Sequence, residues 1–312
     1  MSLPSVAGGS VLGTGRYIVV LKDSASASDV AGTATGLGAT VDSLFGAVDG
    51  LVVSLPMARL GRLQRDPRVA YVTPDRPVRL LESHTLATGR AVPTGVARIG
   101  ASPAQNPDGT VATATGPAKK AAVALLDTGI MDRPDLNVVG GYDCSPPPGF
   151  LGGLFGGGGG GDGSTADNNG HGTHVAGIVA DKGIPGVVGV SPGTPLYAVR
   201  VFGADGSGDL SGVICGLNWV AENAAADNIK VVNMSLGGEG TDDGSCGATD
   251  QDAFHAAVCR VTAAGVTVVA AAGNDGGDLA TSTPAAYDEV LAVTAMGDFD
   301  GQPGGLASTT AS

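Results

Sequence analysis

Residues 121–129 read Ala-Ala-Val-Ala-Leu-Leu-Asp-Thr-Gly, a run of apolar residues followed directly by a carboxylate and a turn. A short, uniformly apolar run of this kind is typical of a strand that is buried on both faces of a parallel sheet. Similar runs follow at residues 196–202, 230–234 and 266–272. Together they predict an α/β fold with a parallel sheet.

Helical stretches separate these predicted strands. Residues 211–225 place Val213, Ile214, Leu217 and Val220 on one side, as an amphipathic helix does. Residues 249–264 open with Thr-Asp-Gln-Asp, which resembles a capping box. Alternating strands and helices predict right-handed βαβ units, so we expect three layers, with helices on both faces of the sheet.

The N-terminal part of the chain shows a different pattern. Residues 15–77 read as strand, helix, strand, strand, helix, strand, the order of a small ferredoxin-like α+β domain. Residues 78–97 carry Pro, Gly, Thr and Ser without periodicity, so we interpret them as a linker. Residues 98–312 then form the α/β domain.

Charge divides the chain at nearly the same place. Residues 1–90 hold 9 basic and 7 acidic residues, whereas residues 91–312 hold 8 basic and 23 acidic ones. The net charges of +2 and −15 predict two units that attract each other, although an acidic surface that aids solubility explains the same numbers. Such an acidic chain argues against a nucleic-acid partner, and no apolar run is long enough to predict a membrane span.

Composition narrows the class further. The 53 glycines among 312 residues show no Gly-X-Y period, which excludes collagen. Residues 148–168 form a polar, glycine-rich insert with six consecutive glycines at 156–161, which we interpret as a flexible surface loop. No basic stretch followed by an apolar segment opens the chain, so either the protein is not exported or the sequence as given omits a signal peptide.

The four cysteines contain no C-x-x-C pair, which argues against zinc or thioredoxin-like chemistry. Of the three pairings that they allow, we favour a disulfide between Cys246 and Cys259, which are close in sequence. Cys215 lies in an apolar helical stretch and is equally compatible with a buried free thiol.

Polar residues follow the predicted strands where each one ends. Asp127 follows the first strand, His171 begins Gly-Thr-His-Val-Ala-Gly after it, and Asn274 follows the strand at 266–272. The carboxyl ends of parallel strands meet at one edge of a sheet, where ligands bind. A carboxylate that orients a histidine, a histidine that acts as a base and an amide that stabilises an oxyanion together suit acyl transfer.

These motifs resemble the subtilisin-like serine proteases, peptidase family S8. The resemblance rests on Asp127-Thr-Gly, on His171-Gly-Thr-His-Val-Ala-Gly, on Asn233-Met-Ser-Leu-Gly-Gly and on Ala272-Gly-Asn274. Residues 15–77 resemble the family's inhibitor I9-type propeptide, which assists folding and inhibits the protease. The resemblance implies a processing site within residues 78–97.

The resemblance also implies a role for individual residues. Asp127 and His171 are similar to the triad acid and base, Asn274 to the oxyanion donor, and His174 to a structural histidine. The substrate backbone is expected to pair with two short segments, namely Gly206, Ser207 and Gly208 on one side and Ser235, Leu236 and Gly237 on the other. Asp135 resembles a carboxylate that binds structural calcium, although one carboxylate alone does not make such a site.

One departure from the family pattern concerns the nucleophile. No Gly-Thr-Ser motif occurs in the 312 residues, and the segment from Ala307 resembles the region that precedes it in the family. Ser164, Ser235 and Ser282 lie in the wrong context to replace the missing serine. We therefore expect a serine endopeptidase precursor that stops before its catalytic Ser and is inactive as given.

Two other interpretations stay open. The chain is also compatible with a pseudoprotease or a protease-inhibitory binding protein that acts through the I9-like domain, or with a fragment that has no function. If the resemblance holds, the protein is secreted, acts on a protein or peptide substrate, needs no organic cofactor, binds structural calcium, and contains a contact between propeptide and catalytic domain.

Overall fold

The computed structural model describes residues 13–23, 25–45, 49–80, 95–96, 99, 121–145, 163–183 and 188–295. The predicted glycine run at 156–161 and the segment from Ala307 lie outside these residues. None of the helices in the described part of the chain is both long and apolar enough to cross a membrane.

The N-terminal unit, residues 14–74, has the predicted order of elements. They are β1 (Thr14–Leu21), α1 (Ala27–Gly36), β2 (Thr40–Phe45), β3 (Gly50–Pro56), α2 (Met57–Leu63) and β4 (Val69–Pro74). The strands form one antiparallel sheet in the order β2-β3-β1-β4.

The two faces of this sheet bury different partners, because side chains alternate along a strand. Val19, Leu51 and Leu55 pack with Val30 of α1 and Leu63 of α2. The opposite face carries Ile18, Val20, Phe45 and Val52, which belong to the same apolar cluster as the core of the α/β body, residues 121–295. The two units therefore share a continuous core.

The body is built around a six-stranded parallel sheet in the order β14-β12-β10-β6-β8-β7. Its strands are β6 (Ala122–Asp127), β7 (Val138–Asp143), β8 (Leu196–Arg200), β10 (Ile229–Met234), β12 (Thr267–Ala271) and β14 (Val290–Val293). The four apolar runs of the sequence are β6, β8, β10 and β12, so the prediction of a parallel sheet is confirmed. β6 and β8 are buried on both faces, whereas β10 and β12 are mostly half-buried on one of them.

Helices cover both faces of this sheet, as expected. They are α3 (His171–Ala180), α4 (Leu210–Asn223) and α5 (Ala253–Ala263). Val175 and Ala176 of α3 pack against Leu125 and Ala198 on one face. The opposite face buries Ala124, Leu126 and Val199 with residues of α4 and α5.

A second, smaller sheet lies beside the first, in the order β13-β11-β5-β9. Its strands are β5 (Pro77–Leu80), β9 (Ser207–Asp209), β11 (Leu236–Glu239) and β13 (Ser282–Thr283). Residues 78–80, predicted as the start of a linker, therefore belong to strand β5. β5 is a strand because two distant segments pair with it, a cause that local periodicity does not reveal.

Two disulfides tie down the body. Cys246 pairs with Cys259, as favoured from the sequence, and Cys144 pairs with Cys215, so Cys215 is not a free thiol. The predicted start of α5 is also corrected: its N-cap is Asp252, whose carboxylate accepts from the N–H groups of Phe254 and His255. Gln251, with φ of 59°, lies in the left-handed region just before it.

Candidate active site

The candidate site centres on a carboxylate–imidazole pair at the carboxyl end of β6. Asp127 is fully buried, and its Oδ1 and Oδ2 lie 2.8 and 2.9 Å from Nδ1 of His171, the first residue of α3. Oδ1 also accepts a hydrogen bond from the N–H of Thr128 at 2.7 Å. A carboxylate in its ionised form only accepts hydrogen bonds, so this geometry suits a ring that carries a proton on Nδ1.

Two glycines allow His171 to contact Asp127. A Cβ on Gly172 would lie 2.1 Å from the carbonyl oxygen of Gly129, so only glycine fits where α3 approaches the turn after β6. Gly170, the N-cap of α3, has φ of 106°, a conformation that favours glycine. The first turn of the helix is closed by the N–H of His174, which donates to the oxygen of Gly170 at 3.1 Å.

Asp167 positions this helix and is a residue that the sequence analysis missed. Its Oδ1 accepts from the N–H groups of Asn169 and Gly170, and its Oδ2 from the N–H and hydroxyl of Thr173. Oδ1 also accepts from Thr128 Oγ1 at 2.8 Å, which links the helix to β6. Asp167 is buried, so the end of the predicted glycine-rich surface loop belongs to the interior.

The charge of Asp167 is stabilised by these contacts. Burial raises the pKa of its carboxyl, but the hydrogen bonds from Gly170, Thr173 and Asn169 outweigh burial, and the pKa lies below its ordinary value of 3.8. An Asp shortly before a predicted helix start is a capping signal that could have identified it.

Asn274 lies at the same edge of the sheet. It follows the carboxyl end of β12, and its side chain is exposed. Gly273, just before it, has φ of 102° and turns the chain there. In the strand order, β10 separates β12 from β6, so Asn274 is two strands away from Asp127.

The residues expected to pair with a substrate pair with β5 instead. Arg79 lies opposite Gly237 and Leu80 opposite Leu236 on one side, and Val78 lies opposite Gly208 on the other. Both pairings are antiparallel. Gly206 and Ser235 are the residues that directly precede β9 and β11. The two segments singled out from the sequence therefore form the two walls of one groove, which we call the β9–β11 groove.

The side chains of β5 fit this groove in alternation. Val78 is buried, in a hollow lined by Leu210, Phe254 and Thr283. Arg79 points the other way and is exposed. Leu80 lies against Gly206, where a Cβ would be 3.1 Å from its Cδ1. Asn169 lies at the same point, and its Oδ1 accepts from the N–H of His171, so β5 ends near the carboxylate–imidazole pair.

Ser282 is corrected from a predicted surface turn to strand β13, which pairs with β11 through Glu239 and Gly238.

The residues around Asp135 do not fit the calcium site expected there. Both oxygens of Asp135 accept from Arg133, with Nη2 to Oδ2 at 2.5 Å and Nε to Oδ1 at 3.0 Å. The guanidinium of Arg133 occupies the carboxylate oxygens with which a calcium ion would be bound.

A carboxylate that holds an imidazole at the carboxyl edge of a parallel sheet, beside a groove for extended backbone, is an arrangement suited to acyl transfer. Residues 118–310 match the subtilase family, peptidase S8. The chain belongs to this family.

Individual relatives agree with the family assignment. The chain is 38% identical over 252 residues to an alkaline protease of Alkalihalobacillus alcalophilus, a match that covers 80% of this chain and 55% of that one. It is 35% identical over 289 residues to subtilisin E of Bacillus subtilis, a match that covers 90% of this chain and 65% of that one. It is 37% identical over 267 residues to an extracellular serine proteinase of Thermus sp., which covers 84% and 56%.

Among solved structures, the epidermin leader peptide processing serine protease of Staphylococcus aureus, as a mutant, has a similar fold. The TM-score is 0.67 at 20% identity, over 89% of this chain and 69% of that one. The chain spans between about half and two thirds of the length of the curated relatives described above.

Proposed function

We propose that this chain carries the acid–base half of a serine endopeptidase that hydrolyses peptide bonds through an acyl-enzyme. The observation that carries the proposal is the contact of both Asp127 oxygens with Nδ1 of His171, at 2.8 and 2.9 Å. In this proposal Nε2 takes the proton of a serine hydroxyl and returns it to the leaving amine, while Asp127 stabilises the imidazolium. Asn274 donates to the oxyanion.

The nucleophile of this reaction does not occur in a family motif within the 312 residues. We therefore propose that this polypeptide alone does not turn over peptides. The test is cleavage of a peptide nitroanilide together with labelling by a serine-directed fluorophosphonate. We expect neither, and turnover with labelling would contradict the proposal.

The positive test uses the coding DNA beyond codon 312. If it continues into a Gly-Thr-Ser motif, the longer product should cleave the nitroanilide, and Asp127→Asn should lower kcat by about 10⁴. Asp132→Asn, an exposed carboxylate close in sequence, is the matched control and should keep the rate. Equal activity of the Asp127→Asn variant would show that the pair has another role.

We propose further that the N-terminal unit with β5 is an inhibitory propeptide, and that β5 occupies the β9–β11 groove as substrate backbone would. Two observations support this: β5 pairs with both walls of the groove, and its last residue, Leu80, ends beside Gly206 and Asn169. The processing bond then lies in the first residues after Leu80. The secretion of relatives such as the extracellular proteinase of Thermus sp. supports an extracellular site of action.

This part is tested by releasing β5 from the groove. Val78→Glu places a charge in the hollow beside Leu210 and Phe254, so the amides of β5 should lose their protection from hydrogen exchange. Arg79→Gln is the matched control, because Arg79 is exposed and glutamine adds no negative charge to the junction, and it should leave protection unchanged. Retained protection in the Val78→Glu variant would show that β5 is held by contacts other than the groove.

A further inference from the structure

Four residues outside the candidate active site place metal-ligating atoms close together. One atom from each of Cys246, His255, Cys259 and Glu289 lies within 4.8 Å of all the others. Nε2 of His255 is 2.9 Å from Glu289 Oε2, and Cys246 Sγ is 3.6 Å from Glu289 Oε1. His255 and Cys259 are four residues apart on α5 and therefore share a face of the helix.

In the oxidised chain the two sulfur atoms are joined and cannot both act as thiolate ligands. Reduction by a phosphine converts them to two thiols, while the phosphine takes up the oxygen of one water molecule. The set then becomes two sulfurs, one imidazole and one carboxylate. This is a four-ligand set of the kind that zinc binds in tetrahedral geometry. Binding releases the two thiol protons, because the thiolate is the ligand.

The surroundings of His255 favour Nε2 as a ligand. The residue is 1% exposed, and its Nδ1 has no hydrogen-bond partner among the described residues, although Asp243 Oδ1 is 3.2 Å away. Histidines that bind metals almost always direct their second ring nitrogen at a carboxylate or a carbonyl. The ring also stacks on Tyr287 at 4.1 Å between centroids, which fixes its plane.

The loop that carries Cys246 is held independently of the disulfide. Oδ1 of Asp243 accepts from the N–H groups of Ser245 and Gly247, on either side of Cys246. Its Oδ2 accepts from the N–H groups of Thr249 and Asp250. These bonds contain no sulfur, so reduction leaves them in place and keeps Cys246 near α5.

We propose that the reduced chain binds one thiophilic divalent cation of the zinc type at Cys246, His255, Cys259 and Glu289, and that formation of the disulfide excludes this ion. The site is separate from Asp127 and His171 and does not depend on the function proposed for them.

Cobalt is the probe, because tetrahedral Co²⁺ with thiolate ligands gives intense visible bands and a near-ultraviolet charge-transfer band. The full chain is reduced with a phosphine, titrated with Co²⁺ and compared with the oxidised chain. We expect these bands at one ion per chain after reduction, their absence before it, and their loss when Zn²⁺ is added. The same bands in the oxidised chain, or a pale octahedral spectrum after reduction, would overturn the proposal.

Variants assign the ligands. Cys246→Ser removes one of the two thiolate ligands, so the charge-transfer band should lose intensity, and Glu289→Gln should weaken affinity by at least about tenfold. Glu222→Gln, at an exposed position on α4, is the control and should leave the titration unchanged. If the intensity of the band is unchanged in Cys246→Ser, the ion is bound at the other cysteine pair and the proposal is wrong. Circular dichroism of each variant shows whether a weakened band reflects a lost ligand or lost structure. If Cys246→Ser unfolds, the Co²⁺ affinity of Glu289→Gln, which keeps both sulfurs, tests the proposal.

Discussion

Gly172 controls the contact between His171 and Asp127. In Gly172→Ala the new Cβ would meet the oxygen of Gly129 at 2.1 Å and Asp127 Oδ1 at 3.1 Å, so α3 must move away from β6. We expect a loss of about 1–3 kcal/mol in the free energy of unfolding, measured with urea. The imidazole resonance of His171 in NMR spectra should shift as the hydrogen bond lengthens.

Gly177→Ala is the matched control on the same helix. Nothing lies within 4 Å of a Cβ at this position, and alanine stabilises a helix interior relative to glycine by about 0.5–1 kcal/mol. The two variants should therefore change stability in opposite directions. Equal effects would show that close approach at Gly172 does not matter.

Asp167 provides a second prediction for a single residue. In Asp167→Asn one acceptor oxygen becomes an amide that faces N–H or hydroxyl donors, which should cost about 1–3 kcal/mol at neutral pH. The pKa of Asp167 is lowered in the folded chain, so its stabilisation is present above 3.8 and is lost as the pH falls through the folded value.

The difference in the free energy of unfolding between wild type and Asp167→Asn should thus become smaller as the pH falls. Urea unfolding at a series of pH values measures it. Asp275→Asn, at an exposed position near Asn274, should show little difference at any pH. A difference that grows toward acid would mean that Asp167 is not the ionised acceptor described above.

The candidate site was predictable where strand ends and motifs coincide. Asp127 and His171 follow from an apolar run and a glycine-rich helix start, and the structure brings them into contact. Asp167 was assigned to a surface loop because glycine and polar residues precede it. Its burial depends on Thr128 and Thr173, which only the folded chain brings to it.

At the scale of elements, the two disulfides should differ in their contribution to stability. Cys144 and Cys215 are 71 residues apart and join the residue after β7 to α4, whereas Cys246 and Cys259 are 13 apart. Chain entropy predicts losses of about 4 and about 3 kcal/mol, respectively, when each pair is replaced by serine. Thermal unfolding of the two double variants tests this order, and a larger loss for the 246–259 pair would contradict the entropic account.

The elements themselves divide into those that local patterns define and those that tertiary pairing defines. β6 and β8 are buried on both faces, and β10 and β12 are buried on one face and mostly half-buried on the other, so their apolar runs are visible in the sequence. β5 carries Pro77, Val78 and Arg79, no strong strand pattern, and is extended because β9 and β11 pair with it. α5 begins at Ala253 rather than near Thr249, because Asp243 holds the preceding N–H groups in a loop.

At the scale of the whole molecule, the junction of the N-terminal unit and the body contains an excess of carboxylates. Arg16 Nε lies 3.2 Å from Asp42 Oδ2 and 3.2 Å from Asp75 Oδ2, and its Nη1 lies 3.3 Å from Asp209 of the body. Asp75 also accepts from the N–H of Ser211 at 2.9 Å. Burial is the largest cause of a raised pKa for each of the three carboxyls.

This excess should make docking of the N-terminal unit depend on pH. Docking raises the pKa of the Asp75 and Asp209 carboxyls above 3.8, so their protonated forms stabilise the docked state. This stabilisation is complete below pH 3.8 and is lost as the pH rises through the pKa values of the docked carboxyls. Asp42 contributes less, because Ser54 and Arg16 of its own unit contact it in either state. We therefore expect the protection of β5 amides, corrected for intrinsic exchange rates, to decline as the pH rises from 3.8 toward neutral.

Asp209→Asn tests the cause of this decline, because it removes one of the crowded carboxylates. The variant should flatten the pH profile and raise the free energy of unfolding at neutral pH by a few tenths to about 1 kcal/mol. The gain is small because the side chain is 39% exposed and solvent screens its charge. Arg16→Gln removes the cation that all three carboxylates face and should weaken docking most at neutral pH, where they are ionised. If Asp209→Asn instead weakens docking at neutral pH, the attraction of Asp209 to Arg16 outweighs the cost of burying Asp209 and its repulsion from Asp75. The junction would then be an ordinary ion pair and not a site of excess negative charge.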